Sequence, residues 1–265
     1  CHLNRGDMTL AQAINVLDLC CNFCGHELET MDILGGEPLL WPHLEMYIEE
    51  LLRRGILPWV FTNMSAITPE RAKWLFERNV HITGKLNIAD PTDTKQIVLQ
   101  AEMIGATVTA ARKMCSAIDV FRNAGYRDPL FRLQNLIRKA NIRLVPDFIR
   151  FCRSRELGVD LELMGSGEAV GPRYWEVAPT PQELANMIRE LERQGCAYRE
   201  SYATSNDGVY PEYDQPIGKL LMPHVFGSCP FYDKGLHFAA DGTIRACSNS
   251  TRTLAKASDP DPIRA

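Results

Sequence analysis

No stretch of the 265-residue chain approaches the ~20 consecutive apolar residues that a membrane-spanning helix requires. Its opening residues, CHLNRGDMTL, have no apolar core of the signal-peptide kind. Together these absences predict a soluble, cytoplasmic protein without a membrane partner. A basic surplus is missing as well: 29 Lys and Arg stand against 33 Asp and Glu, a net charge of -4. That balance removes the electrostatic footprint of a general nucleic-acid binder and leaves nucleic acid a minor alternative. Internal repeats and low-complexity tracts are also lacking.

Cysteine, by contrast, is plentiful, and the count of nine is odd. With 45% hydrophobic residues the chain can bury a core of its own, so it does not need the disulfide framework of a small secreted domain. Metal ligation becomes the leading use for the clustered cysteines. Cys115 in AARKMCSAIDVF and Cys152 in VPDFIRFCRSREL differ, because each falls in an apolar helical pattern where cysteine acts as a small buried hydrophobe.

From INVLDL onward, short apolar runs alternate with longer segments of helical period, the pattern of parallel strands joined by crossover helices. INVLDL reads as a first strand and MDILGG as a second, followed by LPWVFTNMS, VHITGKLN, LFRLQNLI and VDLELMG. Between them lie helices with recognisable ends. WPHLEMYIEELLRRG puts Leu44, Tyr47, Ile48, Leu51 and Leu52 on one face and stops at Gly55, and TPERAKWLFERN opens on a Thr cap followed by Pro. A helical stretch over residues 93–124 has a break at Gly105, and TPQELANMIRELERQ closes the series. Six βα steps are fewer than the eight of a closed TIM barrel, so a partial, open (β/α)6 TIM-like barrel is expected. After about residue 196 the composition shifts to Tyr, Asn, Gly, Pro and Asp, which divides the chain into a barrel over 1–195 and a small domain over 196–265.

One spacing resists this reading. Only ten residues lie between Cys24 and Gly35, whereas a parallel crossover needs about a dozen or more. The expectation is that residues are absent from the chain between Cys20 and Cys21 and between Cys24 and Gly35.

Cys20, Cys21 and Cys24 would sit on a loop after the first strand, and soft thiolates gathered on a loop suit an iron–sulfur cluster. The alternatives are a structural zinc site or buried thiols. Gly35-Gly36-Glu37-Pro38 ends the second strand, where α/β folds bind small molecules and where glycines admit a ligand close to the backbone.

In that combination, CNFC followed by ILGGEP resembles the radical S-adenosylmethionine (SAM) superfamily, whose signature is C-x3-C-x-φ-C and whose second strand ends in GGEP. The Cys21 to Cys24 half matches as it stands, while Cys20 directly precedes Cys21 where the family has three intervening residues. The resemblance implies that Cys20, Cys21 and Cys24 ligate a [4Fe-4S] cluster and that Gly35, Gly36, Glu37 and Pro38 hold the methionyl amino group of SAM. It implies that Phe23 contacts adenine, and that Asn63, Lys85, Asn87, Asn135, Glu162, Met164 and Gly165, at later strand ends, belong to the cofactor site. It further implies an electron donor such as flavodoxin or ferredoxin, reductive cleavage of SAM, and hydrogen abstraction by the 5′-deoxyadenosyl radical from a small molecule, such as a sugar, or from a peptide.

The tail CPFYDKGLHFAADGTIRAC reads as a hairpin about an Asp-Gly turn. Its spacing, Cys229-x12-Gly242-x4-Cys247, resembles the opening of the SPASM and Twitch extensions, which implies that Cys229 and Cys247 ligate an auxiliary iron–sulfur cluster. LHFAADGTIRAC also resembles a strand pair of the molybdopterin-type radical SAM cyclases, the first alternative. The alternative from another class is a non-enzymatic zinc or iron–sulfur binding protein. Cys196 is a candidate hydrogen-atom donor without a supporting motif.

Overall fold

Five of the six apolar runs form one parallel sheet. In the computed structural model, which describes residues 7–24, 28–163, 174–195, 237–245 and 253–259, β1 (Thr30–Ile33), β2 (Leu57–Thr62), β3 (His81–Lys85), β4 (Phe131–Ile137) and β5 (Gly158–Leu163) lie side by side in that order. The connecting helices are α2 (Leu44–Arg53), α3 (Pro69–Glu77), α4 (Thr94–Ile104), α5 (Val108–Asn123) and α6 (Val145–Ser154). α7 (Tyr174–Val177) and α8 (Pro181–Arg193) follow β5. This is the open, TIM-like α/β architecture expected, one strand short.

The helix ends obey the local rules that predicted them. Thr68 accepts from the N–H of Arg71 at the start of α3, and Thr180 and Glu183 form a reciprocal capping box at α8. Gly105, in the left-handed region at φ 66°, separates α4 from α5, where Thr107 caps the second helix. Cys115 and Cys152 are buried as expected, and burial pushes the Cys115 thiol up to about 11 and that of Cys152 higher still.

INVLDL is the correction. It lies within a helix, α1 (Leu10–Cys24), and not in a strand. Leu10, Ala13, Ile14, Leu17 and Cys21 recur at helical spacing and meet the core. Thr9 and Gln12 cap the helix reciprocally, with Gln12 Oε1 accepting from the Thr9 N–H at 2.8 Å and Thr9 Oγ1 accepting from the Gln12 N–H at 3.2 Å. The crossover conflict disappears with the strand, because the parallel neighbour of β1 is β2, reached through α2.

Sheet register sorts the strand residues by face. Val60, Ile82 and Phe131 align and join the helix residues Ile48, Leu51, Leu75 and Phe121 in the core. The opposite face carries Trp59 beside His81, Phe61 beside Thr83 and Arg132, and Lys85 beside Gln134 and Asp160. The predicted hairpin is present: β6 (His237–Phe238) and β7 (Thr243–Arg245) pair antiparallel, Gly242 takes φ 80° in the turn, and β8 (Ala255–Lys256) adds a third strand. Among the described residues no helix is long and apolar enough to cross a membrane.

Candidate functional site

The carboxyl end of β1 leads into Leu34, Gly35 and Gly36, which are all exposed. Gly35 adopts φ 157°, which side-chain-bearing residues seldom take, and a Cβ on Gly35 or Gly36 would have no protein atom within 4 Å. Packing against the protein therefore does not demand glycine here. A backbone left open at a strand's carboxyl end can be approached closely by a ligand.

Glu37 fixes the turn from behind. Its Oε1 accepts from the Leu39 N–H at 3.1 Å and from the Thr62 hydroxyl, and its Oε2 accepts from the Asn63 N–H at 2.7 Å. With three donors on two oxygens, the carboxylate is committed to the protein. Pro38 is buried at the start of a short 3-10 turn that Glu37 caps. Glu37 and Pro38 thus hold the shape of the turn and leave the backbone of Gly35 and Gly36 open.

The other candidates separate into two groups. Lys85 faces the side of the sheet opposite the described helices, in register with Gln134, and Glu162 lies on that side on β5. Asn63 follows β2, and its Oδ1 accepts from the Ser65 N–H at 2.8 Å. Asn87 and Asn135 lie apart from these, in a buried amide cluster. Asn87 Oδ1 accepts from the Leu136 N–H at 2.9 Å, its own N–H donates to Gln100 Oε1 at 2.8 Å, and Asn141 Nδ2 donates to Asn135 Oδ1 at 3.0 Å. Asn135 shares the face of Leu133 and Ile137, which is covered by helices. Met164, Gly165, Cys196, Cys229 and Cys247 lie outside the described residues, as do the side chains of Phe23 and Cys24.

Strand alternation shows a polar surface that motif reading passed over. On the face opposite the described helices, Trp59 Nε1 donates to Thr83 Oγ1 at 2.7 Å and the Trp59 ring stacks near Phe61. Gln134 Nε2 reaches Asp160 Oδ2 at 3.4 Å, and burial raises the Asp160 carboxyl against the opposing effect of Arg132. Asp32, in register with Trp59, retains solvent access, yet the surrounding protein pushes its carboxyl up to about 6. The missed signal was the two-residue period: every second residue of the strands faces this side.

The cysteines lie elsewhere. Cys21 Sγ is 3.8 Å from Arg54 Nη1, beside an Arg54–Asp18 pair at 2.6 Å, and Cys20 and Cys21 act electrostatically on Tyr47 of α2. Arg54 lies three residues before the start of β2, and the Leu57 N–H donates to Glu29 O at 2.8 Å, so this is the amino end of the strands. At the other end of α1, Trp41 Nε1 donates to Met8 O at 2.7 Å, on the level of the glycine turn. Helix α1 therefore runs antiparallel to β1, and from Leu10 to Cys21 its axis advances roughly 16 Å at about 1.5 Å per residue. A cluster held by Cys20 and Cys21 in this arrangement stands at the wrong end of β1 to meet a ligand on the turn. Among the described residues no three metal-ligating side chains converge.

No family model matches the chain. In sequence it is similar to a GTP 3',8-cyclase of Marinobacter nauticus, 22% identical over 258 residues, which span 94% of this chain and 74% of that one. It is also similar to the tungsten-containing aldehyde ferredoxin oxidoreductase cofactor-modifying protein of Pyrococcus furiosus, 25% identical over 163 residues, 61% of this chain and 44% of that one. Its fold matches that of native anSMEcpe with bound AdoMet and Cp18Cys peptide, with TM-score 0.66 and 14% identity over 98% of this chain and 73% of that one. The sequence similarity and the fold likeness accord with the resemblance of CNFC and ILGGEP to the radical SAM superfamily.

Proposed function

We propose that the chain binds SAM on the turn after β1 and uses it to abstract a hydrogen from a small-molecule or peptide substrate in a cytoplasmic biosynthetic pathway. The open backbone of Gly35 and Gly36, anchored by Glu37 at a strand's carboxyl end, is the observation that carries this reading. Gly35 and Gly36 would receive the methionyl group. Asn63, Lys85 and Glu162 would address the remainder of SAM from the neighbouring strand ends, and Asn87 and Asn135 would support them from behind.

In enzymes of this class a [4Fe-4S] cluster supplies the electron that cleaves SAM. Cys20, Cys21 and Cys24 remain its proposed ligands in this chain, with reduction by a flavodoxin or ferredoxin. The helical arrangement of residues 10–24 does not fit that role, so ligation requires this segment to take another arrangement. Residues 196–265 are proposed as a Twitch- or SPASM-like domain in which Cys229 and Cys247 ligate an auxiliary cluster.

One experiment addresses both ligand sets. Anaerobic iron–sulfide loading of the chain is expected to give a brown protein in which Cys20, Cys21, Cys24, Cys229 and Cys247 resist alkylation while unfolded controls react. Bound iron with these five thiols still reactive would assign the ligands elsewhere, and a colourless zinc protein would favour the non-enzymatic reading.

A second substrate reading is cyclisation of a purine nucleotide, favoured by the similarity to a GTP 3',8-cyclase across 94% of the chain. Mass-shift screening with GTP and with peptides separates the two.

A further inference from the structure

The glycine turn is held by more than its own strand. The Thr62 hydroxyl, 5% exposed, donates to Glu37 Oε1 and accepts from the Met64 N–H at 2.8 Å. Met64 takes φ 68°, a conformation costly to a residue with a side chain, and its side chain is fully buried against β3. There it lies over Gly84, where an added Cβ would stand 2.3 Å from Sδ and 3.1 Å from Cγ. The contacts are continuous from the turn after β1, through the end of β2, to β3.

We propose that Thr62, Met64 and Gly84 are positioning residues that fix the Gly35–Gly36 backbone in the conformation that receives SAM, without touching the ligand. This rests on the reading of that turn as the SAM site. The physical reason is the freedom of the glycine pair: with no Cβ and no packing neighbours it samples many conformations, and ordering it at the moment of binding lowers affinity. Glu37 removes that freedom beforehand, and it can do so only while its donors on β2 are themselves held.

The test is equilibrium dialysis of SAM against the full chain, with unfolding midpoints measured in parallel. Thr62→Val removes both roles of the hydroxyl and is expected to weaken SAM about tenfold, the size of one hydrogen bond to a charged group. Thr62→Ser should restore wild-type affinity, which a merely space-filling role for Thr62 would not do. Gly84→Ala, which displaces a methionine with no solvent into which to swing, should weaken SAM similarly, and combining it with Met64→Ala should recover most of the loss. If Thr62→Val does not fold, the Gly84→Ala and double-variant comparison decides. Wild-type affinity in both Thr62→Val and Gly84→Ala overturns the positioning role, whereas a wild-type chain that binds no SAM overturns the SAM reading with it.

Discussion

Asp32 shows what the sheet face opposite the described helices imposes on a single residue. Its carboxyl is pushed up to about 6 by desolvation, above the ~3.9 of an unfolded aspartate. The folded chain therefore holds this proton more tightly than the unfolded one does. The stability that follows is fully present below about pH 4 and is lost as pH rises through about 6. Asp32→Asn, which cannot ionise, is expected to raise the melting temperature over wild type at pH 7 and to leave it nearly unchanged at pH 3.5. Melting curves at both pH values check this, and an equal effect at the two would mean that Asp32 does not titrate upward. Asp32 follows from no motif; it becomes visible only when MDI is laid beside PWV in register. Gly35 and Gly36, by contrast, were legible from four letters, because a glycine pair at a strand's end has few other uses. The anchoring of the turn by Glu37 was not legible, since the donors that occupy its carboxylate come from residues 25 and 26 positions further along the chain.

At the scale of elements, the sequence disclosed whatever carried its own boundary. Helices α2 and α3 were found through Gly55 and Thr68, the division of α4 from α5 through Gly105, α8 through the apolar period of TPQELANMIRELERQ, and β1 to β5 through short apolar runs between such segments. The failure at α1 has a physical cause. VLDL is locally as apolar as a strand, and its helical period appears only when the window is extended to the Thr9–Gln12 cap and the cysteines. Leu17 lies at the centre of that stripe and is fully buried. Leu17→Ala is expected to cost about 2–4 kcal/mol, as buried leucines do when the site cannot collapse, and urea unfolding measures it. A loss below about 0.5 kcal/mol, the range of surface substitutions, would show that residues 10–24 do not pack as this helix. The same element holds the tension between fold and chemistry, because the face that buries Leu17 carries Cys20 and Cys21 away from the glycine turn.

For the whole molecule, a parallel sheet with helices on one face leaves the opposite face and the carboxyl strand ends for ligands. The open α/β architecture was readable because alternating strand and helix signals admit few topologies. The assembly of a metal centre was not, since ligation depends on side chains that distant segments bring together. The central claim is that SAM lies on the turn after β1, and hydrogen–deuterium exchange of the full chain with and without SAM addresses it most directly. SAM is expected to slow exchange at residues 34–41 and 63–65, the turn and the strand end that anchors it. Unchanged exchange at both segments under saturating SAM, or protection confined to other parts of the chain, would contradict it.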